Sequence, residues 1–113
     1  MIARLMGLKT ISPAELSRLL REGLAVAIDV NSRPSWARAH VPGARSLDPA
    51  DFQGRDLPTD FRTPLVFYCS NPLCRKAPLA ARRAEKMGYG DVRVMPAGIS
   101  GWVAAGLPVE SGE

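Results

Sequence analysis

Pro64-Leu65-Val66-Phe67-Tyr68-Cys69 carries an apolar run straight into a cysteine, and Ser70-Asn71-Pro72-Leu73-Cys74-Arg75 follows it. A short run of this kind, rich in β-branched and aromatic residues and followed by turn formers, reads as a strand buried on both faces. From about Arg75 to Met87 the apolar positions recur at helical spacing, and Gly88 ends the segment. A buried strand, a short loop and an amphipathic helix form the repeating unit of parallel α/β architecture.

The same alternation extends outward in both directions. Leu24-Ala25-Val26-Ala27-Ile28-Asp29-Val30 is a second nearly continuous apolar run. Arg45-Ser46-Leu47 and Asp91-Val92-Arg93-Val94-Met95 read as further strands, and Lys9-Thr10-Ile11 as a short edge strand. Ser12-Pro13-Ala14-Glu15 is a helix start, with Ser12 as cap, Pro13 at the first helical position and Glu15 completing a capping box. That helix continues through Leu16, Leu19 and Leu20 and stops at Gly23. A short helix is expected around Pro34–Ala39 and a last one over Ile99–Ala105, before Gly106-Leu107-Pro108. The Pro- and Asp-rich segment from Asp48 to Thr63 reads as a surface connection with one helical turn. The expected fold is α/β, an open, mainly parallel five-stranded sheet with helices on both faces.

Composition limits the function classes. The chain has 113 residues, 46% hydrophobic and 23% charged, which suits one globular domain over residues 1–113 with a core from about 9 to 110. No run approaches the roughly 18–20 apolar residues of a membrane span. The opening Met1–Lys9 is too short and too charged for a secretory leader, so the expected location is cytoplasmic. Of the 15 cationic residues, 12 are Arg, in a net charge of +4. They are scattered rather than gathered into a basic stripe with stacking aromatics, so no nucleic-acid partner is expected. Arginine's fork of donors suits small oxyanions.

The chain has two cysteines, Cys69 and Cys74, and one histidine, His40. That set is too small for an ordinary four-ligand Cys/His zinc site, so no metal is expected. A disulfide framework is not expected in a cytosolic domain. Cys69 stands at the carboxyl end of a buried strand, where open α/β sheets bind ligands. Loop N–H groups from Ser70 to Arg75, with the helix start behind them, form a candidate anion cradle that would lower the thiol pKa. Ser70, Asn71, Leu73, Cys74 and Arg75 are the candidate binding residues, and Arg75 completes a Cys-x5-Arg spacing. Plainer readings stand beside these: Cys69 as an apolar filler, and Cys74 as a half-buried residue at a helix start. His40 is read as orienting a turn, and Trp36 and Trp102 as packing residues. Arg82 and Arg83 are expected to face water.

Four motifs in order make the chain resemble the single-domain rhodanese family, from about Ile11 to Glu110. They are Ile11-Ser12-Pro13-Ala14-Glu15-Leu16, Ile28-Asp29-Val30 with Ala39-His40-Val41-Pro42-Gly43-Ala44, Phe67-Tyr68-Cys69, and Ala97-Gly98-Ile99-Ser100-Gly101-Trp102 with Ala105-Gly106-Leu107-Pro108-Val109. The resemblance implies a rhodanese-like fold and a sulfurtransferase. In that reading Cys69 takes sulfane sulfur from a donor such as thiosulfate as a persulfide and passes it to a thiol or protein acceptor. No cofactor is implied.

The chain also departs from the family pattern. Pro72 stands where the family commonly has Gly, Asn31 where it has Arg, Ser35 where it has Glu, and Ala39 where it has Gly. The loop is longer than usual. Cys-x5-Arg resembles the rhodanese-fold phosphatases and arsenate reductases, which is the alternative enzyme reading. A redox reading makes Cys74 a resolving thiol that closes a disulfide on Cys69. A non-catalytic regulatory module is the remaining alternative.

Overall fold

The structure is a computed structural model that describes residues 7–112. Residues 1–6, which carry most of the opening segment read as no secretory leader, lie outside the described residues.

Five strands form one sheet: β1 (Lys9–Thr10), β2 (Val26–Asp29), β3 (Arg45–Ser46), β4 (Leu65–Tyr68) and β5 (Val92–Val94). Their order is β1-β5-β4-β2-β3, and each of the four pairings is parallel. Parallel neighbours need crossovers, which the helices supply. α1 (Pro13–Arg21), α2 (Arg33–Arg38) and α3 (Lys76–Lys86) lie between strands, and α4 (Gly98–Ala104) follows the last one. β4 lies at the centre, between β5 and β2. A central strand has both faces covered, which explains the unbroken apolar run over residues 64–69.

The pleat of β4 divides the core in two. Leu65, Phe67 and Cys69 face the cluster built with Ala77, Ala80, Ala81 and Ala84 of α3. Val66 and Tyr68 face the other side, with Leu16 of α1 and Trp102 of α4. Successive strand residues point to opposite faces, so helices cover both sides of the sheet as expected. The row of alanines lets α3 lie close against the strands that present Cys69.

Local signals account for most boundaries. The Ser12 hydroxyl accepts from the Glu15 N–H at 3.1 Å and donates to the Glu15 carboxylate at 3.2 Å, with Pro13 opening α1. The cap is the one expected, although Glu15 answers through the Ser12 hydroxyl instead of the Ser12 backbone. Gly23 takes φ +68° after α1, and Gly88 takes φ +109° after α3, conformations that favour glycine at helix ends.

The 48–63 connection differs from expectation. It contains a 3₁₀ turn at Gly54–Asp56, but it is more than surface chain, because Phe52 and Leu57 are buried in the α3-side core. The Arg83 guanidinium donates twice to the Phe52 carbonyl, at 2.9 and 3.3 Å, and lies over the Phe52 ring. Arg83 therefore pins the connection to α3, whereas Arg82 pairs with Glu85 on the surface. The Tyr89 hydroxyl donates to the Pro58 carbonyl and fastens the same connection further along. Among the described residues no helix is long and apolar enough to cross a membrane.

Ala81 is fully buried between α3 and the sheet. Ala81→Leu should lower unfolding stability by about 1–3 kcal/mol through overpacking. A urea-unfolding midpoint within error of the wild type would mean that α3 has slack against the strands.

Candidate functional site

Cys69 follows β4 directly, so a strand at the sheet centre fixes where its side chain emerges. What happens next is set by α4, far away in sequence. The Ile99 N–H donates to the Cys69 carbonyl at 2.9 Å, and the Ser100 N–H donates to the Ser70 carbonyl at 3.0 Å. The first amides of a helix have no partner within the helix, and here they grip the backbone of the cysteine loop. The close approach requires glycine. Gly98 has φ +64°, and a Cβ there would lie 2.5 Å from the Ser70 carbonyl carbon and 2.6 Å from its oxygen.

A second anchor comes from β2. The Ser70 hydroxyl donates to Asn31 Oδ1 at 2.7 Å, and the Asn31 N–H donates to Asp29 Oδ1 at 2.8 Å. Asp29 is fully buried, and burial pushes its carboxyl above the usual range. The Tyr68 hydroxyl, the Asn31 amide and His40 pull the other way. Burial and then the Asp29 charge push the Tyr68 phenol well above its ordinary value, so it stays protonated. Its oxygen accepts the Val41 N–H at 3.0 Å, tying the His40–Ala44 turn to the sheet. His40 stacks on Trp36, donates Nδ1–H to the Trp36 carbonyl at 2.7 Å, and bridges to Glu110 through its backbone. Trp102 is buried and donates Nε1–H to the Pro108 carbonyl.

Beyond Ser70 the chain turns back on itself. The Cys74 N–H donates to the Asn71 carbonyl at 3.1 Å, and the Leu73 N–H donates to Asn71 Oδ1 at 2.9 Å. This is a β-turn with Asn at its first position and Pro at its second, reinforced by the Asn side chain. It brings Cys74 onto Cys69, with Cα atoms 6.4 Å apart and the two sulfurs joined in a disulfide. That separation lies within the ordinary ~4.4–6.8 Å span of disulfides. Cys69 is only 4% exposed in this bonded form.

This turn narrows the cradle expected from the sequence. Pro72 has no N–H, and the Leu73 and Cys74 amides are directed to Asn71, so the 70–75 amides do not all converge on one guest. Leu73 is 83% exposed at the loop tip. Arg75 is exposed at the N-cap of α3, which has no side-chain cap. A cleft of ≈ 490 Å³ opens beside the loop at the carboxyl ends of β2 and β3, lined by Asn31, Ser32, Arg33, Ser46, Asp48 and Lys76 among others. Its charged groups are of mixed sign, with Arg33 and Lys76 set against Asp48.

The Rhodanese-like domain model matches residues 12–105. Thiosulfate sulfurtransferase GlpE of Pseudomonas fluorescens (strain Pf0-1) is 34% identical over 94 residues, covering 80% of this chain and 81% of that protein. The chain belongs to the rhodanese-like family. An HTH-type transcriptional regulator of Mycobacterium tuberculosis is 32% identical over 102 residues; the match covers 90% of this chain but only 45% of the regulator's length. A solved thiosulfate sulfurtransferase of Pseudomonas aeruginosa matches with TM-score 0.81 at 31% identity, covering 94% of this chain and 20% of that one. The rhodanese-like sheet of five parallel strands is the architecture expected from the residues.

Asn31 and Gly98 hold the cysteine loop, and sequence reading singled out neither for that role: Gly98 lies in a motif that carried the family resemblance, whereas Asn31 stands as a departure from the family pattern. Gly98→Ala should cost about 1–3 kcal/mol of stability, because both the backbone angle and the space oppose a methyl group. Denaturant titration checks this, and an unchanged midpoint would show that the α4–loop contact is looser than 2.5 Å implies.

Proposed function

We propose that this rhodanese-like chain is a sulfurtransferase in which Cys69 carries the sulfur. The observation that carries the reading is a cysteine at the carboxyl end of the central parallel strand, with its own carbonyl and the next gripped by the α4 amides. Family membership and the GlpE likeness support it. The reduced Cys69 thiolate attacks the outer sulfur of a donor such as thiosulfate. A Cys69 S–S bond forms, the donor's S–S bond breaks, and sulfite leaves with the electron pair of that bond. The persulfide then passes its outer sulfur to a thiophilic acceptor, such as a thiol or a protein, and regenerates the thiolate.

The loop favours this reading over phosphate-ester or arsenate chemistry. A phosphate attacked at phosphorus must sit inside the ring of amides, and here Pro72, Leu73 and Cys74 offer none to it. In thiosulfate the attacked atom is the outer sulfur, so the sulfonate lies one bond nearer the mouth. Lys76 lines the cleft beside the loop, and the exposed Arg75 precedes it at the start of α3.

The disulfide must be opened before Cys69 can act. Protein reduced and then freed of reductant should release sulfite from thiosulfate, the oxidised protein should release none, and Cys69→Ser should release none in either state. Sulfite assay and intact-mass measurement check all three. A Cys69→Ser variant that still forms sulfite at the wild-type rate would remove Cys69 from the reaction.

A further inference from the structure

The geometry points to Cys74 as a resolving thiol that discharges the Cys69 persulfide as hydrogen sulfide. This rests on the sulfur-transfer reading of Cys69 and names the chemistry of its second half.

A persulfide has two electrophilic sulfurs, and position decides which of them a neighbouring thiolate attacks. The Cys69–Cys74 bond demonstrates that the loop brings the Cys74 sulfur to bonding contact with the Cys69 Sγ itself. The two halves of the loop are held for this contact by different means. On one side the Cys69 and Ser70 carbonyls are fixed by the Ile99 and Ser100 amides, and the Ser70 hydroxyl by Asn31. On the other side Asn71 accepts both the Leu73 and the Cys74 amides, and Pro72 sits at the second position of the turn. Pro72 contributes no N–H to an anion cradle, but proline is the favoured residue at the second position of such a turn, where its φ is already set. Cys74 also packs its side chain against the α3-side core and is only half-exposed, so it is turned toward Cys69 instead of solvent.

The step balances as follows. The Cys74 thiol loses its proton and attacks the Cys69 Sγ. The Cys69–Cys74 bond forms, and the bond from Cys69 to its outer sulfur breaks. The outer sulfur leaves with the electron pair, takes up the proton and departs as hydrosulfide. Sulfane sulfur is reduced to sulfide, and the two cysteines are oxidised to the disulfide. Resetting the site takes two thiol equivalents, from one dithiol or two monothiols, which reduce the Cys69–Cys74 bond by thiol–disulfide exchange and end as a disulfide themselves. The final electron donor is therefore a thiol reductant, and the product is sulfide instead of a sulfur-bearing acceptor.

The test is a single turnover with pre-reduced protein, freed of reductant and mixed with thiosulfate, with no acceptor present. The wild type should release sulfide and sulfite in a ratio near one, end with no added sulfur mass, and lose both thiols to alkylation. In Cys74→Ser the sulfide-to-sulfite ratio should fall toward zero, and each sulfite released should be matched by one sulfur retained on the protein. Adding dithiothreitol should then free that sulfur as sulfide. A wild type that releases sulfite but keeps the added sulfur, with Cys74 still open to alkylation, overturns this inference and leaves the sulfur-transfer reading standing. A pre-reduced wild type that releases no sulfite overturns both.

Discussion

Two backbone hydrogen bonds hold the site together: the amides of Ile99 and Ser100 gripping the carbonyls of Cys69 and Ser70. A strand end has carbonyls to satisfy, and a helix start has amides to satisfy. Setting one against the other resolves both needs and fixes the direction in which the chain leaves β4. The arrangement exists only because position 98 has no side chain, since any Cβ there would collide with the Ser70 backbone. The loop that follows is then held at both ends of its course, with Asn31 holding its first hydroxyl and Asn71 closing its turn.

The core supports this arrangement from both faces. Cys69 shares one face of β4 with Leu65 and Phe67, beneath the alanine row of α3. Tyr68, on the other face, joins the sheet to the His40–Ala44 turn through Val41 and lies beside the buried Asp29. Asp29 in turn accepts the Asn31 amide, so the same buried carboxyl that closes β2 also places the residue that steadies Ser70. The alignment of β2 with β4, Asp29 opposite Tyr68, puts these groups at one level at the carboxyl edge of the sheet.

Much of this was legible in the residues. The 64–69 and 24–30 runs gave buried central strands, Ser12 and Pro13 gave the start of α1, and the five strand-like runs gave the parallel sheet. What escaped depended on contacts between distant segments. The apolar Phe52 and Leu57 stand in a Pro- and Asp-rich connection, and only the packing of α3 shows that they enter the core. Arg83 reads as a surface cation until the Phe52 carbonyl is found within its reach. The anion cradle is narrower than the residues suggest for a different reason. Asn71-Pro72 is a turn signal in the sequence, but which amides that turn would take from an anion depended on the side-chain geometry of Asn71. The pairing of Cys69 with Cys74 was open for the same reason, because five residues of separation permit a bond without requiring one.

Native-state hydrogen exchange tests the central contact most directly. If the α4 amides hold the cysteine loop, those of Ile99 and Ser100 should exchange as slowly as the buried Val66 and Phe67 amides of β4 and open only with the whole sheet. Exchange as fast as that of exposed loop amides would contradict the account, because the start of α4 would then let go of Cys69 while the fold remained intact.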